Sequence, residues 1–299
     1  MIGVATYQRA QDLTRLLESL MPELDRCRLG ETPFVTDLYV IDNDPAGSAR
    51  AVVEPFGPAV HYSVEPTPGI AAARNHTLRI FAGGSYESLI FVDDDEFVAP
   101  GWLSALVSYA ETTPADVVSG PVVTLLPPDA PRWIVRGGFL QMPALPSGTR
   151  HWTAATNNTL LRYASWRSAG SPTFDESFSS TGGSDTDFFG RLTDSGKVIE
   201  FCESAVVYED APRNRLTFRW IRRRWTRMGI AHGRILRRRH SLLYLLAFGG
   251  IRIAAGAGGL VLDLLRGRGV QAGPVQRLCY GMGVVASRFG ILVHEYRRR

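Results

Sequence analysis

Apolar residues in the first hundred positions come in short runs separated by stretches of helical periodicity. Residues 2–6 form one such run, and within 12–20 Leu13, Leu16, Leu17 and Leu20 recur at the spacing of a single helix face, which predicts a strand followed by an amphipathic helix. Residues 37–41 are a β-rich run ending in Asp42-Asn43-Asp44-Pro45, short polar residues suited to a turn at a strand's carboxyl edge. A second β-α step follows over 48–53. Residues 60–64 predict a third strand, 69–80 a helix entered through Pro66 and Pro68, and 89–92 a short buried strand that runs into four acids. Strands alternating with helices imply a mainly parallel, helix-covered sheet. Ligands of such sheets collect at the strands' carboxyl ends. Thr6, Asp42 and Asp93 all fall at those ends, so one shared site is expected.

The pattern then turns Pro- and Gly-rich over 120–148 and resumes at 152–161, with a helix expected near 186–195. After Pro212 it changes abruptly: residues 213–239 hold 11 Arg, and 242–265 are largely apolar with many small residues. Two regions are therefore expected, 1–212 and 213–299.

Charge sharpens that division. The chain of 299 residues carries a formal +4, yet 213–299 contributes +17 and 1–212 contributes −13. An acidic body joined to a basic appendage points to anionic partners such as lipid headgroups, phosphates or nucleic acid. Cys27, Cys202 and Cys279 lie far apart without metal-type spacing, which argues against a disulfide framework or a zinc site and fits a reducing cytoplasm. No basic segment followed by an apolar one precedes the first strand, so no export signal is expected. None of the six histidines shows metal-ligand spacing.

Four consecutive acids, Asp93 to Glu96, repel one another at the end of an apolar strand. Either solvent hydrates them as an acidic turn, or a hard divalent cation, Mg²⁺ or Mn²⁺, neutralises them.

The motifs around this run decide between those readings. Ala5-Thr6-Tyr7-Gln8-Arg9, Val40-Ile41-Asp42-Asn43, Gly69-Ile70-Ala71-Ala72-Ala73-Arg74-Asn75 and Phe91-Val92-Asp93-Asp94-Asp95 occur in that order. They are followed by Asn157-Asn158, Phe174-Asp175-Glu176, Gly182-Gly183-Ser184-Asp185-Thr186-Asp187 and Arg222-Arg223-Arg224-Trp225. In this order the motifs resemble family 2 glycosyltransferases of the GT-A fold, of the bacterial polysaccharide type, over about residues 1–230. The resemblance implies a Rossmann-like mixed, mainly parallel α/β sheet flanked by helices, with a C-terminal helical appendage. A nucleotide-sugar half over about 1–100 and an acceptor half over about 101–212 follow from it. It also implies a metal-dependent, inverting hexosyltransferase that moves a sugar from a nucleotide-diphosphate donor to a saccharide or lipid-linked saccharide hydroxyl.

Carried over by position, the resemblance places Thr6, Tyr7 and Arg9 along the nucleotide pocket, Asp42 at the base and Asp93 near the ribose. Asp94 is their neighbour, and Asp95 becomes the metal ligand. Arg74 is expected to reach a phosphate with its planar guanidinium, and Arg224 with Trp225 matches the acceptor-side element that touches the diphosphate. A divalent cation suits such a site because the leaving diphosphate gathers negative charge as the glycosidic bond breaks.

Inverting transfer needs a carboxylate to take the acceptor proton, and Asp185 matches the family's base, with Asp187 as competitor. The chain departs from the family in having Ser184 where a Glu is usual. By local sequence alone, Ser184-Asp185 reads equally as a helix N-cap. A second departure is Glu209, which stands where relatives carry a histidine and is expected to act as an oxygen ligand or to pair with nearby arginines.

Residues 242–265 are long enough to span a bilayer but contain Arg252 and Asp263, and the shorter run 278–293 carries Arg288. With the flanks 234–239 and 297–299, these segments are expected either to lie on the inner leaflet of a membrane or to pack as a helical subdomain. Two other functions are weighed: a sugar nucleotidyltransferase on a similar fold, and a non-catalytic membrane-bound binding module. The first calls for a Gly-rich phosphate loop with Arg and Lys, which 5–9 lacks in a chain whose single lysine is Lys197. A nucleic-acid partner would leave the ordered acids without a purpose and is not expected.

Overall fold

A computed structural model describes residues 1–29, 35–142, 145–179 and 181–289. The expected helix over 278–293 and the basic flank at 297–299 therefore fall partly or wholly outside the described residues. In chain order the elements are β1 (Ile2–Thr6), α1 (Ala10–Leu29), β2 (Leu38–Asp42), α2 (Arg50–Val53), β3 (Val60–Val64), α3 (Ile70–Gly83), β4 (Ser88–Asp93), β5 (Glu96–Val98), α4 (Trp102–Thr112), β6 (Val117–Ser119) and β7 (Val122–Leu125). They continue with α5 (Arg132–Arg136), β8 (Arg150–His151), β9 (Asn158–Arg162), α6 (Tyr163–Ser168), α7 (Ser184–Asp194), β10 (Ile199–Phe201), β11 (Val207–Asp210), α8 (Phe218–Arg237), α9 (Leu242–Leu265) and α10 (Ala272–Ala286).

These elements form two compact units. The first comprises 1–123, 142–179 and 184–209; the second comprises 124–141, 180–183 and 210–299. Residues 124–141, grouped by sequence order with 1–212, thus go with the C-terminal helices.

The first unit is built on an eight-stranded sheet, among the described residues, in the order β3-β2-β1-β4-β9-β6-β10-β8. Strands β1 to β4 pair in parallel, while β9 runs antiparallel to both β4 and β6. This is the mixed, mainly parallel α/β arrangement that the alternating pattern implies. Side chains alternate across β4: Ile90 and Val92 join Leu13, Leu16, Leu17 and Leu20 of α1 in one core, while Leu89 and Phe91 join Phe81 of α3 and Phe188 and Phe189 of α7 in the other. Burial of each such leucine contributes about 2 kcal/mol, so the two-residue period fixes which helices cover which face.

One polar device ties these layers together. Glu23 of α1, 1% exposed, accepts the amides of Gly101 (2.9 Å) and Leu103 (3.1 Å) at the start of α4, and its charge is met by Arg26 at 2.8 Å. The carboxylate supplies the cap that α4 lacks in its own sequence.

The second unit is largely helical. Glycines let its backbones approach closely: a Cβ at Gly281 of α10 would stand 2.7 Å from the carbonyl oxygen of Gly249 in α9, and one at Gly229 of α8 would collide with Tyr280 and Gly283 of α10. Much of α9 nevertheless remains exposed, including Leu243, Ile251, Leu264 and Leu265. It is the one helix among the described residues long and apolar enough to cross a membrane.

Candidate active site

The strand order places β1 between β2 and β4, so the direction of strand progression reverses beside β1, the switch point at whose carboxyl edge ligands of such sheets collect. Register confirms the convergence read from sequence: Thr6 stands opposite Asp42, and Ala5 opposite Asp93.

The loop after β1 and the acid turn after β4 are bonded directly. Thr6 Oγ1 donates to Asp94 at 2.8 Å, and Arg9 Nη1 reaches Asp94 at 2.7 Å and Asp95 at 3.1 Å. Asp94 is only 5% exposed, which makes it the fastener between the two loops. Tyr7 is half-buried on the same turn. Gln8, at φ +52°, donates to Asp44 at 2.9 Å; a non-glycine residue in that region costs on the order of 1 kcal/mol and persists only where neighbours enforce it.

Asp42 is fully buried. One oxygen accepts the amide of Asp44 (3.0 Å), and the other accepts the amide of Ala49 and the hydroxyl of Tyr62, both at 2.8 Å. Burial and the adjacent Asp42 carboxylate push the Tyr62 hydroxyl far up, which keeps it a donor. As placed, Asp42 organises the 42–49 loop at the carboxyl end of β2. Asn43 organises the next segment: its amide nitrogen donates to the carbonyls of Glu65 and Thr67, and its oxygen accepts Gly69 N at the entrance of α3.

Arg74 in the first turns of α3 joins distant parts of the chain. Its guanidinium donates to Asp185 at the start of α7, 111 residues away, and to Asp93 at 3.2 Å. Neighbouring Asn75 fixes the approach by accepting Phe174 N (2.7 Å) and donating to Phe174 O (3.0 Å), and Phe174 stacks on Phe188 of α7. The N-cap reading of Ser184 is not what the structure shows: the residue is the first of α7, 3% exposed, and its hydroxyl donates to Asp185 Oδ1 at 3.1 Å. Asp187 is 2% exposed and ion-paired with Arg191 at 2.9 Å, so of the two acids Asp185 is the accessible one.

The acid turn holds more charge than its surroundings balance. Burial, with repulsion from Asp95, Asp185 and Asp94 opposing the pull of Arg74, raises the Asp93 carboxyl above its ordinary range. Glu96, 2% exposed, is driven well above its range by burial and then by Asp93, Asp95 and Glu209. Glu209 faces Glu96 directly across β5 and β11, a like-charge pairing that is destabilising without a proton or cation. No three His, Cys, Asp or Glu residues converge as a ready metal cage among the described residues. The hard carboxylate oxygens of Asp95, which Arg9 meets at 3.1 Å, are of the donor type that a Mg²⁺ or Mn²⁺ ion takes.

Arg224 and Trp225 belong to α8 in the second unit. There Trp225 packs against a core formed by Ile134, Phe139, Ile221 and Val275, and Arg224 lies 5.2 Å from the Trp220 ring centroid.

Sequence reasoning missed the bridge from Arg74 to Asp185 and the role of Glu96. The second was signalled by a fourth acid in the run; the first had no local signal.

The mixed, mainly parallel sheet with acids at its switch point is the GT-A arrangement. The chain belongs to glycosyl transferase family 2, whose model matches residues 1–169. It is 37% identical over 243 residues to the succinoglycan biosynthesis protein ExoM of Rhizobium meliloti (strain 1021), an alignment covering 79% of this chain and 74% of that protein. In fold it is similar to S. aureus TarS 1-349, with a TM-score of 0.54 at 15% identity over 99% of this chain and 92% of that one. It is likewise similar to GalNAc-T7, crystallised with UDP, GalNAc and Mn²⁺, with a TM-score of 0.53 at 12% identity over 70% of this chain and 43% of that one.

Proposed function

We propose that this glycosyltransferase inverts the anomeric centre of a hexose as it moves the sugar from a nucleotide-diphosphate donor to a saccharide or lipid-linked saccharide in polysaccharide assembly. The observation that carries the reading is Arg74, which brings the donor-side acid Asp93 and the candidate base Asp185 to a single guanidinium. In this reading the 6–9 and 42–49 loops enclose the nucleotide, and Arg74 meets its diphosphate. Asp95 and Glu209 would hold a Mg²⁺ or Mn²⁺ ion, which would supply positive charge to the leaving diphosphate. Asp185 removes the acceptor proton as the acceptor oxygen bonds to the anomeric carbon, and the nucleoside diphosphate departs with the electrons of the broken bond. ExoM's part in succinoglycan biosynthesis supports the assignment to polysaccharide assembly.

The second unit is read as the appendage that docks the enzyme on the cytoplasmic membrane surface. Its exposed apolar helix α9 is about 36 Å long and is preceded by Arg237, Arg238 and Arg239 and followed by Arg266 and Arg268. That pattern suits insertion beside anionic headgroups and agrees with a lipid-linked acceptor.

The test is release of nucleoside diphosphate from UDP-glucose, UDP-galactose, UDP-GlcNAc and GDP-mannose, with and without Mn²⁺. Turnover of at least one sugar, suppressed by chelation and by Asp95→Asn, is expected. Failure to bind or turn over any of them contradicts the reading. Flotation with vesicles containing anionic lipid tests the appendage: co-flotation that weakens with salt is expected, and a protein left wholly in the soluble fraction at low salt refutes it.

A further inference from the structure

Ser184 opens α7 beside Asp185, and the structure shows what its hydroxyl does there. Asp185 Oδ1 receives two donors, the Ser184 hydroxyl at 3.1 Å and the Arg74 guanidinium. Oδ2 has no hydrogen-bond partner among the described residues. Ser184 is 3% exposed, so its rotamer is held by packing, and Arg74 is held in turn by Asp93 and lies 5.8 Å from the Phe174 ring centroid.

We propose that Ser184 is a positioning residue for the transfer step: with Arg74 it pins Oδ1 of Asp185, leaving Oδ2 as the oxygen that takes the acceptor proton. The inference rests on Asp185 being the base. Ser184 supplies a neutral hydroxyl that orients the base without adding charge. In the step itself the acceptor O–H proton passes to Oδ2, and the O–H electron pair forms the bond to the anomeric carbon. The bond from that carbon to the diphosphate breaks, and its electron pair leaves with the nucleoside diphosphate. A carboxylate anchored through one oxygen loses no orientational freedom in that step, which is the gain positioning supplies.

Arg74 also gives the arrangement a connection to the donor. The guanidinium that holds Oδ1 reaches Asp93 as well, so the base is pinned to the side of the site that receives the diphosphate. The hydroxyl of Ser184 is the part of this support that does not depend on the donor side.

Steady-state turnover with the best nucleotide sugar of the panel and water as acceptor tests the proposal. Ser184→Ala should lower kcat about tenfold, as expected for loss of one orienting bond to a charged group. The donor KM, Mn²⁺-UDP affinity by calorimetry and melting temperature should stay at wild-type values. Ser184→Thr, which keeps the hydroxyl, should restore most of kcat. A purely structural role would lower stability and binding together and would not separate Thr from Ala by the hydroxyl. Unchanged kcat in Ser184→Ala, or equal loss in Ser184→Thr and Ser184→Ala, overturns the inference alone. Absence of turnover by the wild-type protein with every sugar overturns the transferase reading and this inference with it.

Discussion

Replacing Asp42 with Asn separates a loop-building role from direct nucleotide contact. The carboxylate serves three donors from complete burial: Asp44 N at one oxygen, and Ala49 N and the Tyr62 hydroxyl at the other. An Asn side chain offers one acceptor oxygen. If that oxygen keeps Ala49 and Tyr62, its amide group confronts the Asp44 N–H, and an unsatisfied buried donor costs about 1–3 kcal/mol. The two retained bonds lose their charge assistance, about 0.5–1 kcal/mol each. Asp42→Asn should therefore destabilise the first unit by about 3 kcal/mol, read as a fall in urea midpoint with unchanged slope. Amide hydrogen exchange at 44–49 should accelerate over the same range. UDP affinity should fall only as far as the loop is loosened, and low temperature should restore part of it. A variant with wild-type stability and wild-type exchange at 44–49 but UDP binding weakened tenfold or more would refute this reasoning and assign Asp42 to the nucleobase.

Two further expectations follow from buried carboxylates elsewhere. Glu23→Ala strips the cap from α4 and leaves the amides of Gly101 and Leu103 unpaired, so a loss of about 3–4 kcal/mol is expected by urea unfolding; a loss under about 1 kcal/mol would show that α4 is capped by other means. For Glu65, burial raises the carboxyl, but the Thr67 amide and hydroxyl and the Arg79 guanidinium outweigh it and leave the group below its ordinary 4.5. A depressed folded-state value means that its stabilisation is present above the unfolded value and is lost as pH falls through the folded one. The stability gap between wild type and Glu65→Gln should be full at neutral pH and close on acidification below 4.5. A gap that stays constant down to about pH 3 would contradict the assignment.

The sequence made the nucleotide side of the fold legible because its signals are local. Short apolar runs ending in polar residues placed β1, β2, β3 and β4 to within a residue or two, and the leucine spacing in 12–20 identified the face of α1 that meets the sheet. Once those strands are parallel, Thr6, Asp42 and Asp93 must share an edge. Pattern could not show which polar group finds which partner. Asp42 turned inward because Tyr62 and the 44–49 backbone offered it donors, and Asp94 became a fastener because Thr6 and Arg9 lie across the strand gap. The bridge from Arg74 to Asp185 closes over 111 residues, a separation at which periodicity carries no information. The passage of 124–141 into the second unit was hidden for a related reason: its Pro- and Gly-rich composition specifies turns but not the core on which Ile134 and Phe139 come to rest.

Asp185 as the base, opposite a donor held by the acid turn, is the assignment on which the proposed mechanism depends. The most direct measurement compares Asp185→Asn with Asp187→Asn for turnover of the nucleotide sugar and for Mn²⁺-UDP binding in the same preparations. Asp185→Asn should lose about 10²–10⁴-fold in turnover with nucleotide affinity within twofold of wild type. Asp187→Asn, which breaks a buried pair with Arg191, should lose stability first. An Asp185→Asn protein that keeps more than about a tenth of wild-type turnover, or a tenfold or greater loss on Asp187→Asn at unchanged stability, would contradict the mechanism.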